Sequence, residues 1–279
     1  MFSEYDIKDL KNIYKSDSFK IPDEVLNFFL NESMKVLEMS NGLVVELGFD
    51  SVHTMIELIG MYSLHNGFIL PIGNLISHGE RHNVVLSDLT GDLKVYYVVK
   101  TSQVTFKLYL LSNSFKDLLH YELTDNGLLS DLITNTKLAI VEAKGEGFDY
   151  DDLQAIKYYL HYNKLPLDLV LLFNNASRFE ISFKDVIDDW SPQLSIGESS
   201  AYQMVLNFNN QSLFMEHHAL VIGIDGFSHS ILYSDKDGDF KLYFVADDNF
   251  EESEFIYLAD TLFELIVNGK GLDVLFNFE

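Results

Sequence analysis

The chain has 279 residues, 47% of them hydrophobic and 22% charged, which suffices for one large core or two ordinary ones and excludes a disordered chain. It contains no cysteine, so disulfides, thiolate metal sites and a cysteine nucleophile are excluded. Its 43 acidic residues against 19 basic ones give a net charge of −24, which repels nucleic-acid phosphates and either suits a basic protein partner or serves solubility alone.

In chain order, MFSEYDIKDLKNIYK lacks the basic start and apolar centre of a secretory signal, so a cytoplasmic location is expected. Within it, DLKNI (9–13) has the spacing of a short amphipathic helix. IPDEVLNFFLNES (21–33) places Pro22 where a helix start tolerates it. VVLSDLTGDLKVYYV (84–98) reads as a strand, a turn relaxed by Asp and Gly, and an alternating strand, which together make a β-hairpin. YLLSNSFKDLL (109–119) predicts a short strand entering a closing helix, and the polar, glycine-bearing EAKGEGF (142–148) predicts a joint.

Beyond that joint the four segments return in the same order as DLQAI (152–156), LPLDLVLLFNNAS (165–177), ILYSDKDGDFKLYFV (231–245) and YLADTLFELIV (257–267). The hairpins share Ser87/Ser234, Asp88/Asp235, Gly91/Gly238, Asp92/Asp239, Lys94/Lys241, Tyr96/Tyr243 and Val98/Val245. The flanking segments pair Pro22 with Pro166, Phe29 with Phe173, Tyr109 with Tyr257 and Phe115 with Phe263. The chain therefore reads as a domain duplication, with residues 1–141 as the first unit, 142–148 as the joint and 149–279 as the second unit. The apolar run LPLDLVLLF (165–173) is short and carries Asp168, so no membrane span is expected.

Several motifs carry a family resemblance. They are Ile21-Pro22 before Phe28-Phe29-Leu30, Asn66-Gly67, Ile69-Leu70-Pro71-Ile72-Gly73, Asp88 and Gly91 before Val95-Tyr96, and Ser114-Phe115-Lys116-Asp117-Leu118-Leu119. In this pattern the chain resembles the SUKH superfamily, which includes cell-wall-synthesis regulators and bacterial toxin-immunity proteins. The second copy keeps Leu165-Pro166, Asp235 through Tyr243 and Leu262-Phe263-Glu264-Leu265-Ile266, but lacks Pro-Ile-Gly; its nearest candidate, Val221-Ile222-Gly223, stands in a different register. The resemblance implies an α+β fold, two tandem domains each with a mixed or largely antiparallel sheet flanked by helices. It also implies a role in binding rather than catalysis.

Motifs that suggest chemistry depart from their templates. GESSA (197–201) is similar to a nucleophile elbow at Ser199, but Ala201 replaces the final glycine and SPQLSI makes a poor preceding strand. HGERH (78–82) sets His78 and His82 four apart, yet Gly79 weakens a helix and Glu80 is misplaced for a zinc protease, which favours a surface loop. His217 and His218 are adjacent, so on a strand they point to opposite faces and cannot chelate together. DKDGD (235–239) has its glycine too early for a calcium loop and Ala246 at the twelfth position, which favours an acidic hairpin turn. Tyr96-Tyr97 and Tyr243-Phe244 read as core. No phosphate-cradling loop is present, and neither a metal, a cofactor nor catalysis is expected.

The copies differ in charge. Residues 88–107 hold two acids and three lysines, whereas 235–254 hold eight acids, Asp235, Asp237, Asp239, Asp247, Asp248, Glu251, Glu252 and Glu254, against two lysines. Such crowding is either solvated surface or compensated by a positive partner. With the resemblance, these residues are the expected contact for a cognate toxin with a basic, nuclease-like surface. The alternatives are an intracellular scaffold holding signalling partners, and a serine hydrolase acting through Ser199.

Overall fold

A computed structural model describes residues 2–14, 20–32, 34–39, 42–77, 79–102, 104–120, 122–123, 136–159, 164–184, 193–209, 219–227, 229–236, 238–246 and 255–277. The chain is α+β and forms two compact units, Met1–Asp125 and Asn126–Glu279.

Unit one starts with helices α1 (Glu4–Ile13) and α2 (Asp23–Asn31), followed by strands β1 (Met34–Glu38) and β2 (Val44–Gly48). Helix α3 (Val52–Tyr62) leads to β3 (Ile69–Ser77), β4 (Glu80–Ser87), β5 (Lys94–Lys100) and β6 (Phe106–Ser112), and α4 (Phe115–Leu119) closes it. The six strands pair antiparallel in chain order, so each connection is local. Ser3 and Asp6 cap α1 reciprocally, and Ser51 and Ser114 cap α3 and α4, which satisfies first-turn N–H groups that lack intrahelical partners. Leu37, Val45, Leu47, Ile72, Val84, Leu86 and Val95 meet Leu10, Val25, Phe29 and Phe115 in a single core.

Unit two begins with β7 (Ala139–Lys144), then α5 (Tyr150–Tyr159), α6 (Leu167–Phe173), β8 (Arg178–Phe183), β9 (Gln193–Gly197) and α7 (Ala201–Asn209). It continues with β10 (Ala219–Asp225), β11 (Ser230–Ser234), β12 (Lys241–Val245), β13 (Ile256–Ala259), α8 (Leu262–Asn268) and α9 (Leu272–Asn277). Its seven strands are antiparallel and again in chain order. Among the described residues, no helix is long and apolar enough to cross a membrane.

The duplication extends to the irregularities. Met34 faces Gly48 and Arg178 faces Gly197, and both glycines have positive φ. Strands β3 and β10 both bulge before a glycine, at Pro71/Gly73 and Val221/Gly223, where an added Cβ would come within 2.1 Å of the Glu46 carbonyl or 2.2 Å of the Ser195 carbonyl. Val221-Ile222-Gly223 is therefore the counterpart of Pro71-Ile72-Gly73. The ladders β5–β6 and β12–β13 shift register at the same place, with Leu111 and Leu258 the extra residues opposite Val95/Tyr96 and Leu242/Tyr243.

Three sequence expectations are corrected by this geometry. The joint at 142–148 does not separate the units: Ala139–Lys144 pairs with β8, and the division falls between Asp125 and Asn126. The first helices align through their caps, Ser3 with Asp149, so Asp6–Leu10 and not 9–13 matches 152–156; a three-residue slip keeps the same helical face and hides the error. The closing helices align through the caps Ser114 and Thr261, which moves Phe115 opposite Leu262 and Leu110 opposite Tyr257.

Candidate functional site

The repeated hairpins β4–β5 and β11–β12 share one backbone. Ser87 faces Lys94 and Ser234 faces Lys241. The Gly91 N–H donates to the Asp88 carbonyl (2.8 Å) and the Gly238 N–H to the Asp235 carbonyl (2.7 Å), with both glycines at positive φ. In unit one the buried Asp88 carboxylate also accepts the Phe68 N–H (2.9 Å), which ties the turn to the residue before β3.

The side chains on this common frame diverge. Leu89 is fully buried, whereas its counterpart Lys236 lays its ammonium over Tyr243 (4.6 Å) and Phe255 (5.4 Å) and donates to the Phe255 carbonyl (3.4 Å). Asp239 is exposed and Asp235 half-buried. The other expected contact residues, Asp237, Asp247, Asp248, Glu251, Glu252 and Glu254, lie outside the described residues.

Several of unit two's cations are paired with its own carboxylates. Lys270 reaches Glu264 (2.8 Å) and Asp260 (3.1 Å), and Tyr257 donates to Asp260 (2.7 Å). Hydrogen bonds from Tyr257 and Lys270 hold the Asp260 carboxyl below the usual carboxylate range, and Lys270 holds Glu264 below it too. Arg178 pairs with Glu180 at 2.6 Å. Over the whole chain, Met1–Asp125 carries 17 acidic and 10 basic residues, net −7, and Asn126–Glu279 carries 26 and 9, net −17. Unit two therefore holds most of the uncompensated negative charge.

The remaining candidate residues fall elsewhere. Residues 193–197 do form the strand that the elbow motif needed. Ser199 itself is exposed and, among the described residues, bonds no histidine or carboxylate, whereas Ser200 accepts the Gln203 N–H (3.2 Å). Gly197-Glu198-Ser199-Ser200 thus matches Gly48-Phe49-Asp50-Ser51, a strand-ending glycine followed by a helix cap. Glu80 and His82 stand on strand β4, 3.5 Å apart, rather than in a loop, and His78, His217 and His218 lie outside the described residues. No group of three potential metal ligands occurs among the described residues. Tyr96, Tyr243 and Phe244 are buried, as core residues should be, whereas Tyr97 is only half-buried against the unit-one core.

One buried polar centre escaped the sequence reading except as an interruption of an apolar run. Asp168, in the first turn of α6, accepts from the Tyr233 hydroxyl (2.5 Å) and the Leu262 N–H (2.6 Å). Burial pushes its carboxyl above the usual range despite those bonds. It ties α6 and β11 to the start of α8, and all three groups are buried within unit two.

No protein-family model, curated protein or solved structure matches this chain.

Proposed function

We propose that the chain is a binding protein with no catalysis of its own, an immunity protein that neutralises a basic, nuclease-like toxin acting in the bacterial cytosol. One observation carries this reading: a single hairpin frame is used twice, and the charge moves from near neutrality in one copy to a dense excess of carboxylates in the other. Folding does not require that change, because the same ladder and the same turn glycine form without it in unit one. Concentrating like charge costs self-repulsion, which an oppositely charged partner offsets while steering association. The resemblance to the SUKH superfamily supports the same class of role.

Contact with the toxin through unit two covers its active surface or substrate path, and unit one supplies a second contact or scaffolding. The test is co-expression with the protein encoded beside it, followed by affinity capture and scoring of growth. Stable capture with rescue from toxicity is expected. Capture of several signalling proteins without rescue would instead favour the scaffold reading, and failure of both capture and rescue would sink the proposal.

A further inference from the structure

Strand β1 forms one edge of the unit-one sheet. The Met39 N–H donates to the Leu43 carbonyl (2.9 Å), which sets the phase of the antiparallel ladder. Lys35 and Leu37 therefore bond toward β2, and the N–H and C=O groups of Met34, Val36 and Glu38 point away from it. Among the described residues no strand lies on that side, and the Met34 and Val36 side chains beside it are 45% and 50% exposed. A sheet edge of this kind is a template for another strand.

Unit two shows what such an edge takes. Its equivalent strand, β8, is covered by β7, which runs antiparallel with Lys144 opposite Arg178 and Ala139 opposite Phe183. Since Met34 and Arg178 both face the positive-φ glycine of the next strand, the β7 position transfers residue by residue onto β1. Residue 142 of β7 then falls opposite Val36, and residue 140 opposite Glu38.

We propose that the β1 edge takes an extended segment of the basic partner as a seventh antiparallel strand, in the place β7 holds in unit two. A second copy is the poorer occupant, because each chain brings −24 and two would repel. A basic residue opposite Glu38 suits the edge in both charge and cross-strand pairing. The partner's identity rests on the function proposed above, but the edge is tested without it.

The probe is a peptide copying residues 137–146 with Ile140→Lys, added to the full chain and followed by residue-resolved hydrogen exchange. At a concentration ten times its Kd, exchange at Val36 and Glu38 should slow about tenfold. The same peptide N-methylated at position 142 should not slow it. Val36→Pro deletes an outward donor and no ladder bond, so it should leave thermal unfolding nearly unchanged while abolishing the slowing. Unchanged exchange, equal protection by the methylated peptide, or slowing confined to 178–183 would overturn the proposal, as would edge protection that grows with protein concentration alone. Peptide protection without toxin capture leaves the edge standing and removes the toxin; capture with no peptide effect does the reverse.

Discussion

Asp168 offers the sharpest test of how unit two is held together. Asp168→Ala removes the acceptor of the Tyr233 hydroxyl, while the Leu262 N–H keeps the Tyr233 oxygen at 3.0 Å as a second partner. At least the buried Tyr233 donor is therefore orphaned, at a cost of about 1–3 kcal/mol. For a unit of this size that lowers the melting temperature by roughly 2–4 °C per kcal/mol. The pH dependence is independent of that estimate. Burial raises the folded-state pKa above the ordinary 3.8, so the unfolded chain loses the proton first. The stabilising contribution is then complete below the ordinary value and is lost as pH rises through the raised one. Asp168→Asn does not titrate, so the stability of the wild type relative to this variant should fall as pH rises from about 3.5 and level off above the raised value. Urea unfolding of the three proteins across that range checks both effects. An alanine variant as stable as the wild type, or a wild-type-to-asparagine difference that is flat with pH, would show that Asp168 does not hold unit two in this way.

Two further comparisons follow from the duplication. Gly73→Ala and Gly223→Ala should each destabilise by about 1–3 kcal/mol or more, because the new Cβ meets a neighbouring strand's carbonyl, whereas Gly60→Ala in α3 meets nothing within 4 Å and should stabilise by about 0.5–1 kcal/mol in thermal unfolding. Ser200→Ala should cost about 1 kcal/mol through the lost helix cap, and Ser199→Ala should change stability little; denaturant titration of both separates a cap from a nucleophile elbow.

The repeat was legible because its signals are short-range. A proline ahead of a helix, an Asp-x-x-Gly turn and two-residue alternation each specify local structure without help from the rest of the chain. Long-range features were not legible. Ala139–Lys144 has little alternation and runs into a glycine-rich stretch, so it passed for a linker; only its pairing with Arg178–Phe183 makes it a strand. The equivalence of Gly223 with Gly73 was obscured because the hairpin beyond Gly73 is longer, and it emerges from the shared bulge and close strand approach. Aromatic identity misaligned the closing helices by one residue, where the capping hydroxyls of Ser114 and Thr261 mark the register. At the candidate site, sequence showed the charge contrast, but it took the backbone bonds from Gly91 to Asp88 and from Gly238 to Asp235 to show that both copies close the same turn. That assigns the charge contrast to the positions where the copies differ.

The claim that unit two's carboxylates recruit a basic partner is tested most directly by association kinetics. The captured toxin would be mixed with the wild-type chain and with a variant carrying Asp247→Lys, Asp248→Lys, Glu251→Lys and Glu252→Lys, over a range of ionic strength. The wild-type rate should fall steeply with salt, and the variant should associate at least about tenfold more slowly at low salt with a flattened salt dependence. Equal rates with the same salt slope would show that these carboxylates do not recruit the partner.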